Sequence, residues 1–231
     1  TIDDEKRQQG RHHRTFGIMK EMPIAKHRLA IGGRAEAAPG FFDQIFDDRA
    51  GLGDAAAKAR ADVLTPLVKA YGTDVGVEVT SLAVQVHGGM GYVEETGVAQ
   101  HYRDARISPI YEGTNGIQAA DLVMRKLPMA GGEVLRRLLA EIRAEAGDEV
   151  ELSQLVDGCE AVAEILLGAN DDDRLAASYP FLTMLSVAVA GWLMARQLRA
   201  LGADRDEKAF ASMKRAAARY YLDQIVPEAE G

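Results

Sequence analysis

The sequence is poor in cysteine, proline and aromatic residues. It has one cysteine, Cys159, among 231 residues, with 7 prolines and an aromatic content of 6%. A lone cysteine forms neither a disulfide within the chain nor a cysteine-rich metal site. We therefore expect a reducing compartment, the cytoplasm. The scarcity of proline and aromatic residues, together with abundant alanine, favours helices over sheets.

Positive charge is also in deficit. The 27 Lys and Arg residues are outnumbered by 35 Asp and Glu residues, so the net charge is −8. Such a chain has no general attraction for phosphate backbones, which argues against a nucleic-acid partner. Hydrophobic residues make up 47% of the sequence, which is too much for a wholly disordered protein.

Export signals and long hydrophobic runs are missing. Residues 1–14 are charged and lack the apolar core of a signal peptide. The hydrophobic stretch over residues 179–195 is slightly short for a membrane span and is interrupted by Pro180 and Gly191. We interpret it as a buried core helix and expect no membrane span. The alternative, a membrane-anchored helix, requires the chain to partition into detergent.

Several catalytic signatures are absent from the sequence. There is no Glu-x-x-His pair of a di-iron bundle, no His-Glu-x-x-His zinc motif and no Gly-x-Ser-x-Gly nucleophile motif. We therefore predict no metal site. Cys159 lies on an apolar stripe, so we expect a buried core side chain rather than a nucleophile.

The pattern from Asp54 onward is helical. Asp54 is a good N-cap, and Pro66 is expected to kink or divide the helix that follows. Apolar residues then recur at helical spacing from Val75 to Val86. The glycines in His87–Gly89 accept a left-handed conformation, so this helix is expected to end there.

Two further helices are predicted before residue 128. One covers about 94–104 and is followed by a turning connection over residues 107–113. The next is capped by Thr114 or Asn115 and runs to about Lys126.

The rest of the sequence reads as amphipathic helices. Apolar stripes recur over 134–142 and 152–166, and an acidic turn at 171–173 precedes the long apolar helix. The last helix is predicted over about 204–224. No segment alternates with period two, so we predict an all-α helical bundle.

Residues 85–118 carry the side chains and turns best suited to chemistry. Gly88, Gly89 and Gly91 fall within four residues at a helix end, where exposed amides can hold phosphate oxygens; a plain C-cap is the alternative. Glu112 follows an apolar run and precedes a glycine. A carboxylate shielded by such neighbours is desolvated and becomes a better general base, whereas the residues alone favour a solvated turn glutamate.

Three motifs stand in this segment: Gln85-x-x-Gly88-Gly89-x-Gly91-Tyr92, Arg103-Asp104-Ala105-Arg106 and Ile110-Tyr111-Glu112-Gly113-Thr114-Asn115. In order and spacing they resemble the C-terminal helical domain of the acyl-CoA dehydrogenases. The stretches SLAVQVHGGMGY and YEGTNGIQA are most similar to the methylthiopropanoyl-CoA dehydrogenase-like branch, which has an additional C-terminal helical segment. The adjacent Arg103 and Asp104 match a structural pair of the family.

The resemblance implies roles for eight residues. Glu112 matches the base that removes the α-proton of an acyl-CoA thioester while a hydride passes from the β-carbon to flavin. Gly113 matches a backbone contact to the acyl-CoA, and Tyr111 lines the same pocket. The positions that match FAD contacts are Gln85, Gly88, Gly89, Thr114 and Gly116. In the family, the first three of these often contact the FAD of a neighbouring subunit.

The resemblance also implies partners and a domain plan. FAD is the expected cofactor, and an acyl-CoA is the expected substrate. An electron-transfer flavoprotein would accept the electrons, and the protein is expected to form a homo-oligomer. The family's N-terminal helical domain and β-domain are not visible, so we expect a C-terminal portion. We expect three parts. Residues 1–53 are an atypical region of loops and short helices. Residues 54–127 form the dehydrogenase-like helical domain, and residues 128–231 form the additional helical segment.

A non-catalytic helical oligomerisation module is the alternative function. The apolar faces between residues 131 and 226 would then join subunits or close the bundle. Such a chain would be inactive without the domains that the family places before it. A colourless, folded oligomer with no affinity for FAD would favour this interpretation for the isolated chain.

Overall fold

The computed structural model describes residues 53–201 and 209–229, and every regular element in those ranges is helical. The all-α prediction is confirmed. The helices are α1 (Ala55–Val86), α2 (Gly89–Tyr92), α3 (Val98–Ala105), α4 (Asn115–Asp121), α5 (Glu133–Ala146), α6 (Val150–Gly168), α7 (Asp171–Leu201), α8 (Ala209–Tyr220) and α9 (Val226–Glu228). Short 3₁₀ turns cover Glu94–Thr96 and Met129–Gly132, and π-helical turns cover Leu122–Lys126 and Tyr221–Ile225. The loops and short helices predicted for residues 1–52 lie outside the described residues.

Helix α1 is the long element that leads to the predicted site. It is capped as expected by Asp54, whose carboxylate accepts from the amides of Ala56 and Ala57 at 2.9 and 3.1 Å. Pro66 is predicted to kink or divide this helix; it does not divide it, because α1 continues through it, and the kink stays a prediction. Leu64 and Leu67 beside the proline are fully buried, and their packing offsets the backbone hydrogen bond that proline lacks. The helix ends where predicted, with His87 as its C-cap.

A left-handed glycine interrupts the helix predicted over 94–104. Gly97 has φ +75° and separates the 3₁₀ turn from α3. Arg103 on α3 reaches back across this break, and its Nη2 lies 2.9 Å from Glu94 Oε2. This ion pair agrees with the structural role expected of Arg103. Residues 107–113 form turns, as predicted.

Helix α7 occupies the centre of the bundle and packs against α1, α4, α5, α6 and α8. Within the described ranges it is also the one helix long and apolar enough to cross a membrane, and 67% of its apolar window is buried inside the chain. That burial matches the predicted core helix. Its largest buried side chain is Trp192, whose Nε1 donates to Glu145 Oε2 at 2.8 Å. The guanidinium carbons of Arg60 and Arg196 lie 5.6 and 5.1 Å from the ring centre, within the range of cation–π attraction.

The ends of α7 and α8 differ slightly from the prediction. The acidic residues 171–173 form the first turn of α7 rather than a turn before it, and this places their charge at the positive end of the helix dipole. Asn170 caps this turn, with its Oδ1 accepting from the Asp173 amide at 3.0 Å. The final helix is described from Ala209, so its predicted start at residue 204 lies outside the described residues.

One hydrophobic core joins the helices on both sides of residue 128. It includes Leu64 and Leu122 from the first side and Leu139 and Trp192 from the second. Cys159 belongs to it, and burial raises the pKa of this thiol to about 12. The thiol is therefore protonated and unreactive at neutral pH, as expected of a core cysteine. The division of the chain at residues 127 and 128 stays a prediction.

Candidate active site

The turn that carries Glu112 joins α3 to α4. Glu112 has φ +56° and Gly113 follows with φ +83°. The left-handed conformation costs a residue with a Cβ atom about 1–2 kcal/mol. Glu112 is exposed, and its apolar neighbours Ile110 and Tyr111 are themselves 51% and 50% exposed. Within this chain Glu112 is therefore the solvated turn glutamate that the residues alone favour, and it is not the shielded carboxylate, because those neighbours project outward instead of covering it.

Helix α4 begins immediately after this turn. Thr114 is its N-cap, with Oγ1 accepting from the Ile117 amide at 3.3 Å, which confirms the predicted cap. Gln118 Nε2 donates to the Glu112 carbonyl at 3.2 Å. The strained turn is thus attached to the start of α4 at two points.

A buried amide, Asn115, anchors the turn to α1 and is 4% exposed. Its Oδ1 accepts from Lys69 Nζ at 2.7 Å, and the same ammonium group donates to the Gly113 carbonyl at 2.7 Å. Its Nδ2 donates to three groups of α1: the Ala70 carbonyl at 3.1 Å, the Thr73 hydroxyl at 2.9 Å and Asp74 Oδ1 at 2.8 Å. The sequence predicts at most a capping role for Asn115 and no role for Lys69 or Asp74. No local pattern indicates these contacts.

The other predicted group lies around the C-terminal end of α1. Gln85, Gly88 and Gly89 are all exposed. Gly88 has φ +58° and ψ −145°, a conformation that only glycine adopts readily. Gly91 has a packing role instead, because an added Cβ would lie 2.3 Å from the Val84 carbonyl oxygen.

The two predicted groups do not converge within one chain. Lys69 touches the Glu112 turn, and Gln85 follows it by 16 residues (85 minus 69) in the same helix. At 1.5 Å per residue this separates Lys69 from Gln85 by roughly 24 Å along α1. The residues near Glu112 and the Gly88–Gly89 turn therefore form two separate surfaces.

Two glycines of the predicted FAD set are not required by the fold of this chain. An added Cβ at Gly89 meets no atom within 4 Å, and at Gly116 it meets only Thr114 Oγ1 at 3.9 Å. Neither glycine has a positive φ. The missing side chains leave exposed backbone that a flat ring or a phosphate can approach. These positions therefore fit a cofactor that contacts the chain from outside.

Two surface clefts lie away from these groups. One, of about 500 Å³, is lined by residues including Glu145, Arg196 and Arg199. The other, of about 350 Å³, lies beside the start of α1 and is lined by Arg60 and Glu141 among others. Glu112 lines neither cleft, so the pocket expected at its side is not formed by these two concavities.

Two family descriptions match the sequence. "Acyl-CoA dehydrogenase, C-terminal domain" matches residues 48–127, and "Acetyl-CoA dehydrogenase C-terminal like" matches residues 136–231.

Two curated acyl-CoA dehydrogenases are similar in sequence to this chain. A 3-methylmercaptopropionyl-CoA dehydrogenase of Ruegeria pomeroyi is 37% identical over 233 residues, which cover 91% of this chain and 39% of the relative. A butyryl-CoA dehydrogenase of Syntrophomonas wolfei is 33% identical over 184 residues, which cover 70% of this chain and 30% of the relative. The chain thus spans 39% and 30% of the length of these two relatives.

Solved structures share the fold. An acyl-CoA dehydrogenase of Bacillus anthracis, complexed with FAD, matches 91% of this chain and 41% of its own at a TM-score of 0.62 and 19% identity. Caenorhabditis elegans ACDH-11, in complex with C11-CoA, matches 93% of this chain and 36% of its own at a TM-score of 0.61 and 19% identity. The motifs, the helical bundle and these matches together place the chain in the acyl-CoA dehydrogenase family, as its C-terminal helical part.

Proposed function

We propose that this chain supplies the catalytic base and part of the flavin site of an FAD-dependent acyl-CoA dehydrogenase. The main support is the conformation of Glu112, a residue with a Cβ atom held at φ +56° on an exposed turn. Strained backbone of this kind persists where the surroundings fix it, and it clusters at functional sites. If this turn were only a solvated connection, glycine would adopt the same conformation at a lower cost in free energy.

In the proposed reaction the carboxylate of Glu112 removes the α-proton of an acyl-CoA thioester. The backbone of Gly113 contacts the acyl-CoA, and the exposed ring of Tyr111 lines the acyl pocket. FAD, when bound, accepts the hydride that leaves the β-carbon. Thr114 and Gly116 face the cofactor from the first turn of α4, where Gly116 leaves the backbone open to it.

Glu112 is exposed in this chain, so shielding its carboxylate from water requires a cover formed by other parts of the protein. The chain spans 39% of the length of its Ruegeria relative, and we assign the cover to the rest of the whole protein. Closing that side removes water from the carboxylate and strengthens it as a base. The exposed Ile110, Tyr111 and Ile117 provide an apolar surface on which such a cover can pack.

A second copy of the chain completes the flavin site in this proposal. The Gly88–Gly89 turn lies too far along α1 to share a flavin ring with Glu112 of the same chain. Val86, Met90 and Tyr92 around that turn are 55%, 57% and 82% exposed, as expected of a surface that a partner covers. The whole protein would then be a homo-oligomer in the cytoplasm that passes electrons to an electron-transfer flavoprotein.

Reduction of bound flavin by an acyl-CoA tests this function. The whole protein, purified with FAD and freed of oxygen, is mixed with butyryl-CoA or 3-methylmercaptopropionyl-CoA, and its visible absorbance is followed. We expect the absorbance of oxidised flavin to bleach with at least one thioester. A flavin that stays oxidised with both, in a protein that dithionite does reduce, would contradict the proposal and favour the non-catalytic helical module.

Gly89→Ala and Gly116→Ala separate cofactor binding from folding. Each alanine fits the backbone without a clash and reduces the freedom of the unfolded chain, so the free energy of unfolding should stay the same or rise by about 0.4–1 kcal/mol. FAD affinity should fall, because the new methyl group occupies the approach to the backbone. Urea unfolding of the 231-residue chain and FAD titration of the whole protein measure the two effects. Gly72→Ala is a matched control within α1, since a Cβ there also meets open space, and it should leave FAD affinity unchanged.

A further inference from the structure

Two residues outside the predicted site connect the Glu112 turn to the bundle. Lys69 on α1 contacts Gly113 and Asn115 directly, and Tyr179 on α7 contacts Asp74, which is a partner of Asn115. We propose that they are positioning residues that hold Glu112 in its left-handed turn, acting through Asn115 and Asp74. The inference rests on the proposed role of Glu112 as the base.

Lys69 fixes the turn relative to α1. Its ammonium group donates to the Gly113 carbonyl and to Asn115 Oδ1, both at 2.7 Å. The first contact is to the residue next to Glu112, and the second is to the first residue of α4. One cation therefore holds both sides of Thr114, and the backbone that carries Glu112 has little freedom to leave its strained conformation.

The side-chain amide of Asn115 lies between opposite charges. Lys69 donates to its oxygen, and its nitrogen donates to Asp74 Oδ1 at 2.8 Å. In a buried setting a positive charge at the amide oxygen and a negative charge at the nitrogen both stabilise this orientation. Lys69 and Asp74 stand on the same helix, so their spacing is set before the turn packs against it.

Tyr179 connects this arrangement to α7. Its hydroxyl donates to the second carboxylate oxygen, Oδ2, of Asp74. Burial raises the pKa of Tyr179 to about 12, and the hydrogen bond to Asp74 acts in the same direction, so the hydroxyl keeps its proton at neutral pH. Because α7 lies within the segment matched over 136–231, that second segment takes part in placing the base.

Four titratable groups belong to this cluster: Lys69 and Asp74 from α1, Tyr179 from α7 and Glu112 from the turn. Burial lowers the pKa of Lys69, while the carboxylates of Asp74 and Glu112 raise it.

Hydrogen exchange on the 231-residue chain tests the anchoring without any cofactor. The Asn115 and Gln118 amides donate to the carbonyls of Pro109 and Thr114 at 3.1 and 3.0 Å. Lys69→Met should speed their exchange roughly tenfold, and Tyr179→Phe by less, because the loss of a hydrogen-bond partner loosens the turn. Amides of α5 should exchange as before. Unchanged exchange at Asn115 and Gln118 in both variants would overturn the proposal.

Matched variants control for the loss of a lysine or a tyrosine as such. Lys58→Met removes an exposed ammonium group that pairs with Asp62 at 2.9 Å on the outer surface of α1. Tyr71→Phe removes a hydroxyl that contacts the Tyr221 hydroxyl at 3.1 Å. Both should leave exchange in the Glu112 turn unaltered.

The rate of flavin reduction tests the effect on Glu112 in the whole protein. Lys69→Met should lower the rate roughly 10-fold to 100-fold, because the base is misplaced, while the affinity for FAD stays unchanged. Lys69→Arg keeps a cationic donor at this position and should recover part of the rate. A Lys69→Met protein that loses FAD and rate together, with no recovery in Lys69→Arg, would overturn the role and leave Lys69 merely structural.

These experiments distinguish a failure of the proposed function from a failure of the anchoring by Lys69. If the wild-type protein does not reduce its flavin while Lys69→Met still loosens the turn, the proposed function is wrong and the anchoring by Lys69 stands. If the wild-type protein is active and Lys69→Met matches it in exchange and in rate, this inference alone is wrong.

Discussion

Substitution of Glu112 by Gln is expected to abolish reduction of the bound flavin by an acyl-CoA in the whole protein. General bases contribute about 10²–10⁴-fold to rate, and an amide cannot replace the carboxylate as proton acceptor. The side chain is exposed, so the free energy of unfolding should stay within about 0.5 kcal/mol of the wild type. Anaerobic stopped-flow absorbance and urea unfolding measure the two quantities. Reduction by Glu112→Gln at the wild-type rate would disprove the assigned role.

Glu112→Gly provides the matched comparison. Glycine removes the left-handed strain at φ +56°, whereas glutamine keeps it. After allowance for the backbone entropy of glycine, the gain in the free energy of unfolding should be about 0.5–1 kcal/mol. The glycine variant should therefore be more stable than the wild type and equally inactive. A variant that gains stability while losing function identifies a residue kept for its chemistry.

Trp192→Ala is expected to give the largest loss of stability, about 3–5 kcal/mol. The indole is fully buried on α7, donates to Glu145 and contacts two guanidinium groups. Truncation leaves a cavity at the centre of the bundle and removes one donor from Glu145, which keeps Arg196 and Arg199 as partners. Urea unfolding should be followed by circular dichroism, since Trp192 is the only tryptophan.

Trp192→Phe controls for the hydrogen bond. Phenylalanine keeps an aromatic ring in the core and loses the Nε1 donor, so we expect a smaller cost, about 1–2 kcal/mol. A cost for Trp192→Ala no greater than that of Trp192→Phe would show that packing of the indole does not stabilise the bundle. Neither variant touches Glu112 or its anchor, so any change in flavin reduction should follow the fraction of folded protein.

Much of the fold could be predicted because its signals are local. The Asp54 and Thr114 caps and the stripe over 152–166 depend on residues a few positions apart, and the structure confirms them. Pro66 does not divide α1 for a reason that is not local, namely the burial of Leu64 and Leu67 against distant helices. At Gly97 the left-handed backbone, with φ +75°, interrupts the helix that the sequence pattern on both sides predicts.

The candidate site was only partly predictable for the same reason. The order of the motifs locates Glu112 and its glycine, and both lie on one turn. The anchor of that turn depends on pairs that are 46 and 41 residues apart, Lys69 with Asn115 and Asp74 with Asn115. Tyr179 meets Asp74 across 105 residues. No spacing rule relates such residues, because the bundle brings them together only after α1, α4 and α7 have packed.

The hydrophobic core that includes residues from both sides of residue 128 limits where genes of this family can recombine. Leu64 and Leu122 interlock with Leu139 and Trp192 in one continuous set of contacts. A crossover placed near Leu127 would join two parental halves whose facing side chains were never selected together, and mismatched volumes in a core are costly. Recombination would therefore have to keep the helices that share this core together, even though one family description ends at residue 127 and the next begins at residue 136.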